Sequence, residues 1–342
     1  MKYCKKDNMT KFTGVEYIKL AACSAAGKDK LTWEERLDWF DSNEEKISQI
    51  SYLNELKDND DEPYQFKKAL YALQDAREGK PTGYAMGLDM TASGVQIFAA
   101  LSGCPATAKA VNMVHDGIRH DLYRESGNIL GMEHIPRGSL KEAIMQYFYS
   151  SVATPRRVFG GEVDRFYDLM QETLPGAYDV MEVLKSCQSY IKDSYQFKAP
   201  CGSNVLIRQK IVMEHKIRAE LDMEDMDNWY AVQARKEFGM KPKDRSIPAN
   251  VAHVCDGWIV RQVIKACNKL GFHAYHCHDK YFCSPNHMNT LRIVMRGVLA
   301  ELCNMDFMTQ TVRAITGIEN YEYTKITNDL SKTVSKADYI IT

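Results

Sequence analysis

At 342 residues, with 45% hydrophobic content, 44 Lys and Arg against 45 Asp and Glu, and a formal net charge of −1, the chain carries enough apolar side chains for a sizeable core divided into two or three subdomains. A disordered tail, a small disulfide scaffold and a uniformly basic protein are excluded. A polyanionic partner is neither supported nor refuted, because binding one needs only a local basic cleft.

The ten cysteines run from Cys4 to Cys303 without a CxxC pair, and the start carries Lys2, Lys5 and Lys6 but no apolar run of the secretory kind. A reducing, cytoplasmic location is expected. The longest uncharged apolar stretch, Met90 to Ala108, is interrupted by Thr91, Ser93, Gly94, Gln96, Ser102 and Pro105, so no membrane span is expected.

In chain order, Thr32-Trp-Glu-Glu35 reads as a capping box opening a helix with Leu37, Phe40, Ile47 and Ile50 at helical spacing. The acidic loop Asp58 to Pro63 interrupts it, and a second helix resumes at Tyr64 and ends at the breaker Arg77-Glu-Gly-Lys-Pro81. Tyr84 to Asp89 reads as a short buried strand and Val95 to Leu101 as a helix, which leaves Asp89 at the mouth of a strand-to-helix turn. A helix over Arg137 to Phe148 and further amphipathic helix over Val158 to Gln188, broken at Pro175 and Gly176, make the middle third mostly helical. Two hairpins follow: Tyr195–Lys198 with Val205–Arg208 about the turn Pro200–Asn204, and a second within Phe272–Cys283 with Asp279 near its turn. Ala219 to Arg245 is polar and mixed in charge, and the chain has no internal repeat.

Four short elements carry candidate chemistry, each with an ordinary structural reading beside it. Asp89 fits an N-cap equally well. Arg137, Lys141, Met145 and Tyr149 recur every four residues, which lays them along one stripe about 18 Å long. That stripe suits a solvated helix opened by a Ser139–Glu142 capping box, or a helix whose cations grip a polyphosphate while its far end packs a ring against a base or sugar. Asp279, preceded by His278, is either a turn aspartate or a Mg²⁺ ligand together with Asp89. The surrounding His273, His276, Cys277, His278, Cys283 and His287 offer a competing zinc set, weakened because they alternate between the two faces of one hairpin. His253 has no diagnostic spacing.

In this order the elements resemble the single-subunit RNA polymerases of bacteriophages and mitochondria. Asp89-Met-Thr-Ala-Ser93-Gly94-Val-Gln96 is similar to that family's first palm motif, the Arg137/Lys141/Met145/Tyr149 stripe to its fingers-helix motif, and His278-Asp279 with Pro285 to its third motif. The likeness extends to Tyr17–Lys30, Glu35-Arg36, Glu44–Ile47, Lys198–Gly202, and Asn250-Val-Ala-His253 with Asp256-Gly257. Met90, Ser150 and Lys280 depart from it, standing where the family carries glycine, glycine and serine; alternation along a strand is expected to turn Lys280 away from its neighbour Asp279.

The resemblance implies an α+β right-hand polymerase: a palm with a small antiparallel sheet and a large, mainly helical fingers subdomain. It places a helical lead-in at 1–82, the first palm part at 83–110, fingers at 111–194, a palm hairpin at 195–215, a loop or hairpin insertion at 216–247, and the second palm part with C-terminal helices at 248–342. It implies DNA-directed RNA synthesis from NTPs with two Mg²⁺ ions held by Asp89 and Asp279, and with Arg137 and Lys141 on the incoming triphosphate. Lys141 would also protonate the leaving group. Tyr149 and His253 would read the sugar, with Ser93, Gly94, Gln96, Met145 and His278 in support. DNA template, RNA product and NTPs are the implied partners. The sequence contains no Gly-Arg dipeptide of the family's upstream template-gripping motif, so the chain resembles the catalytic piece of a two-chain phage polymerase whose second subunit supplies the thumb. The rival readings are a family A-like DNA polymerase and a non-catalytic, zinc-stabilised nucleic-acid-binding module.

Overall fold

A computed structural model describes residues 9–47, 62–191, 194–208 and 246–342. The polar segment 219–245, Ile50 and most of the acidic loop before Pro63 lie outside the described residues. The protein is mostly helical with two small antiparallel sheets, an α+β arrangement.

Strand β1 (Met86–Asp89) alternates strictly: Met86 and Leu88 point into the core, while Gly87 and Asp89 take the other face. Strands β2 (Ser194–Lys198) and β3 (Asn204–Arg208) form the first expected hairpin and, among the described residues, pair only with each other. Strands β4 (Tyr275–Cys277) and β5 (Lys280–Cys283) form the second. The main sheet runs β1-β5-β4, with Met86 opposite Cys283 and Asp89 opposite Lys280. The other edge of β1 is covered by the end of the chain. The N–H of Asp89 donates to the Thr342 carbonyl at 3.1 Å, that of Thr342 to the Asp89 carbonyl at 2.9 Å, and that of Thr91 to the Ile340 carbonyl at 3.3 Å.

Directly after β1, the helix Ser93–Ser102 is buried along its whole length, as a helix apolar on every side must be. The helices Pro175–Ser186, Ile247–Lys269 and Met288–Asn304 pack around it. The main core runs from Phe12 and Trp33 through Phe98, Phe166 and Trp258 to Ile341. A satellite core of Ile18, Phe40, Phe66 and Leu73 joins helices Gly14–Cys23, Trp33–Ile47 and Pro63–Arg77.

Local chemistry sets most of these boundaries. The Thr32 capping box is formed: its N–H donates to Glu35 Oε2 at 2.8 Å, and the Glu35 N–H returns to Thr32 Oγ1 at 3.3 Å. Pro175 starts a new helix where the amphipathic pattern breaks. A further break falls at Gly160, which separates helix Ala153–Phe159 from Val163–Thr173. The Ser139–Glu142 capping box does not form. Pro136 is the N-cap of helix Arg137–Phe148, with no side-chain cap, and Glu142 pairs with Arg157 instead, at 2.6 Å.

Candidate active site

Asp89 ends β1, and Asp279 occupies the β4–β5 turn just after His278, whose φ of 54° makes the turn tight. The Met90 N–H donates to the Asp279 carbonyl at 3.2 Å, which locks the end of β1 to that turn. Both side chains are half-buried. The helix after β1 is capped by Ala92, so Asp89 is not an N-cap. Its carboxyl is pushed up to about 6, first by burial and then by the Asp279 carboxyl beside it, against a weaker pull from the Lys141 and Lys280 ammoniums. Two residues far apart in the sequence therefore converge on one acidic corner.

Asp89 Oδ1 is buried with no hydrogen-bond partner among the described residues. A buried carboxylate oxygen facing a second carboxylate is the donor chemistry that a hard divalent cation satisfies: Mg²⁺ takes one or two carboxylates and completes its shell with water and phosphate. The residues present fit that ion. A zinc set does not assemble: among the described residues no three His, Cys, Asp or Glu side chains converge on a metal position. Instead Cys283 is buried, His273, Cys277 and His278 are exposed, and His287 stacks on Phe272 with ring centroids 4.6 Å apart.

The residues around this corner explain the motif. Gln96 is fully buried, and its Nε2 donates to Thr91 Oγ1 (3.0 Å), the Val111 carbonyl (3.0 Å) and the Ile340 carbonyl (3.1 Å). It ties the turn after Asp89 to two distant segments. At Gly94 an added Cβ would lie 2.8 Å from the Tyr149 hydroxyl, so this glycine is the space in which the phenol sits. Ser93 lies beside it in the same buried turn.

The Tyr149 ring meets that of His253 edge-on, with centroids 5.4 Å apart. Burial, reinforced by Asp256 and Asp279, pushes the phenol up to about 12. Ser150, where the resembling family carries glycine, has a φ of 69°. This left-handed backbone favours glycine and costs an L-residue roughly 1–2 kcal/mol.

The stripe exists as expected. Arg137 opens the helix, Lys141 is exposed one turn on, Met145 packs partly against the core, and Tyr149 is the C-cap. Lys280 departs from its expected orientation. As the cross-strand partner of Asp89 it shares that residue's sheet face, and its ammonium extends over the Phe282 ring at 5.8 Å.

Several contributors escaped the sequence reading. Arg137 is gripped by Asp121 and lies over Tyr123. Asp256, one turn beyond His253 on helix Ile247–Lys269, has a buried Oδ1 with no partner among the described residues; burial raises its carboxyl, helped by Asp279 and opposed by His253, His276 and His278. Lys30 pairs with Asp29, and burial lowers its ammonium, with Arg137 and Arg119 close enough to add to that effect. The loop presenting Lys30 is held by buried Arg36, which donates to the Leu31 carbonyl at 3.0 Å and the Asp29 carbonyl at 2.6 Å. The sequence signals for these were the Gly27–Lys30, Glu35-Arg36 and Asp256-Gly257 likenesses.

An acidic corner, a helix bearing Arg137 and Lys141, and an aromatic pair thus lie close to one another. Residues 9–154 match the family model for DNA-dependent RNA polymerase. Over that segment, which is less than half of the chain, the protein is similar to that family. The match takes in Asp89 and the whole Arg137–Tyr149 stripe and ends before His253 and Asp279. No curated protein matches the chain. Among the described residues no helix is long and apolar enough to cross a membrane, and every described cysteine is free.

Proposed function

We propose that this chain is the catalytic subunit of a DNA-directed RNA polymerase, adding NTPs to an RNA 3′ end on a DNA template. The observation that carries the reading is the convergence of Asp89 and Asp279, the second lying outside the family-matched segment, beside a helix bearing Arg137 and Lys141. Asp89 and Asp279 would hold Mg²⁺, as two ions. When bound, the ions supply polarisation of the 3′-hydroxyl and charge neutralisation on the leaving pyrophosphate.

The chain's own residues do the rest. Arg137 and Lys141 orient the triphosphate, and Lys141 gives a proton to the departing pyrophosphate oxygen. Tyr149, seated in the gap at Gly94, and His253 flank the sugar. A pocket built to bond a ribose hydroxyl rejects the deoxy analogue because its polar groups are then left unpaired. His278 shapes the turn that presents Asp279. In this reading the β1-β5-β4 sheet with its flanking 83–110 and 248–342 segments is the palm, residues 111–194 are the fingers, the β2–β3 hairpin belongs to the palm side, and 1–82 leads in. A second chain supplies thumb and template grip, and the complex works in the cytoplasm.

The test is nucleotide addition to a primed DNA–RNA scaffold by the chain together with any protein that copurifies with it, comparing rNTPs with dNTPs. Preferential rNTP addition is expected. Preference for dNTPs would make this a DNA polymerase, and no addition of either would end the polymerase reading.

A further inference from the structure

Arg137 is a long side chain whose conformational freedom must be spent before it can grip anything reproducibly. In this structure it is already spent. Nε donates to Asp121 Oδ2 at 2.8 Å and Nη2 to Oδ1 at 3.1 Å, a two-pronged pair, while the guanidinium lies 5.0 Å from the Tyr123 ring centroid. The fork uses one edge of the guanidinium. Of its five N–H donors, the three on the remaining edges are left for another acceptor.

Asp121 is itself anchored. Its backbone N–H donates to Glu125 Oε1 at 2.9 Å, and it is the N-cap residue of helix Leu122–Leu130. Its side chain is 13% exposed and that of Arg137 25% exposed, so the carboxylate is the inner partner and the guanidinium the outer one. Burial works to raise the Asp121 carboxyl, but the Arg137 bonds and the Arg137, Lys30 and Arg119 charges hold it below the ordinary carboxylate range. Arg119 Nη1 also donates to the Lys30 carbonyl at 3.2 Å. Three cations, Lys30, Arg119 and Arg137, thus gather about Asp29 and Asp121.

We infer that Asp121 is a positioning residue for nucleotide binding: its two-pronged hold on Arg137 sets the free edge of the guanidinium toward the NTP triphosphate. This rests on the polymerase reading above. Asp121 touches no substrate and acts through Arg137 alone.

The test is single-turnover addition of an rNTP at varied concentration by the full chain, with any copurifying partner, for wild type, Asp121→Asn, Arg137→Ala and the double variant. Asp121→Asn is expected to raise the half-saturating NTP concentration about tenfold, as loss of a charge-assisted fork warrants, with the maximal rate within about twofold and the melting temperature little changed. In the Arg137→Ala background the same change is expected to add less than about twofold, the non-additivity of a shared pathway. Should Asp121→Asn fail to fold, Asp121→Glu displaces the carboxylate by one methylene and is expected to raise half-saturation in the same way. Unchanged half-saturation, a full independent effect in the Arg137→Ala background, or tighter NTP binding, which would make Asp121 a competitor for the cation, overturns the assignment. A wild-type complex that adds no nucleotide at any concentration overturns the polymerase reading itself.

Discussion

The molecule buries charge in two places and treats it in opposite ways. Beneath the chain end, Asp338 accepts from Arg292 Nη2 at 2.8 Å and Arg296 Nη2 at 3.0 Å on one oxygen and from Thr10 Oγ1 at 3.0 Å on the other. Arg292 also donates to the Thr10 carbonyl at 2.8 Å and the Tyr17 hydroxyl at 3.1 Å. Both arginines and the aspartate are at most 6% exposed, and opposite charges meet with both carboxylate oxygens used. At the acidic corner two like charges meet, and Asp89 Oδ1, the Tyr123 and Tyr281 hydroxyls and Asp256 Oδ1 are buried without partners among the described residues. A saturated buried network is architecture; an unsaturated one is a place held for something else. The two are mechanically joined, because Asp338 lies two residues before the Ile340–Thr342 segment that pairs with Asp89.

The contrast implies opposite responses to mutation. Asp338→Ala strands two buried guanidiniums, and a loss of about 3–5 kcal/mol in unfolding free energy is expected from denaturant titration; a loss below ~1 kcal/mol would show that the network is not structural. Asp89→Asn should do the reverse. A carboxyl raised to about 6 in the folded protein binds its proton more tightly there than in the unfolded chain, so its contribution to stability is present at low pH and is lost as pH rises through that value. In buffer free of divalent ions at pH 7–8, Asp89→Asn is therefore expected to be more stable than wild type by roughly 1–3 kcal/mol. The gain should shrink below about pH 6 and vanish near pH 4. A destabilised Asp89→Asn at neutral pH would remove the like-charge strain from the account.

What the sequence disclosed followed local rules. The Thr32 box, the Pro175 restart, both hairpins and the helix Arg137–Phe148 are each dictated by residues within a few positions of one another. The helix Ile247–Lys269 was not legible, because His253, Asp256 and Gly257 interrupt its apolar rhythm on the side facing the site. The Asp121–Arg137 fork joins a residue before one helix to the first residue of another, and contacts of that kind leave no periodic trace. Convergence of Asp89 with Asp279 was reachable only through family likeness, since no spacing rule links a strand end to a turn far along the chain. Ser150 shows the converse: its place in a glycine position was readable, but the left-handed backbone that explains the glycine was not.

The central claim is that Asp89 and Asp279 act as one divalent-cation site, and Mn²⁺ binding followed by electron paramagnetic resonance in the presence of an NTP tests it most directly. Wild type is expected to bind Mn²⁺, while Asp89→Asn and Asp279→Asn, each shown to be folded, are each expected to lose most of that binding. Full binding retained by either variant would contradict the claim.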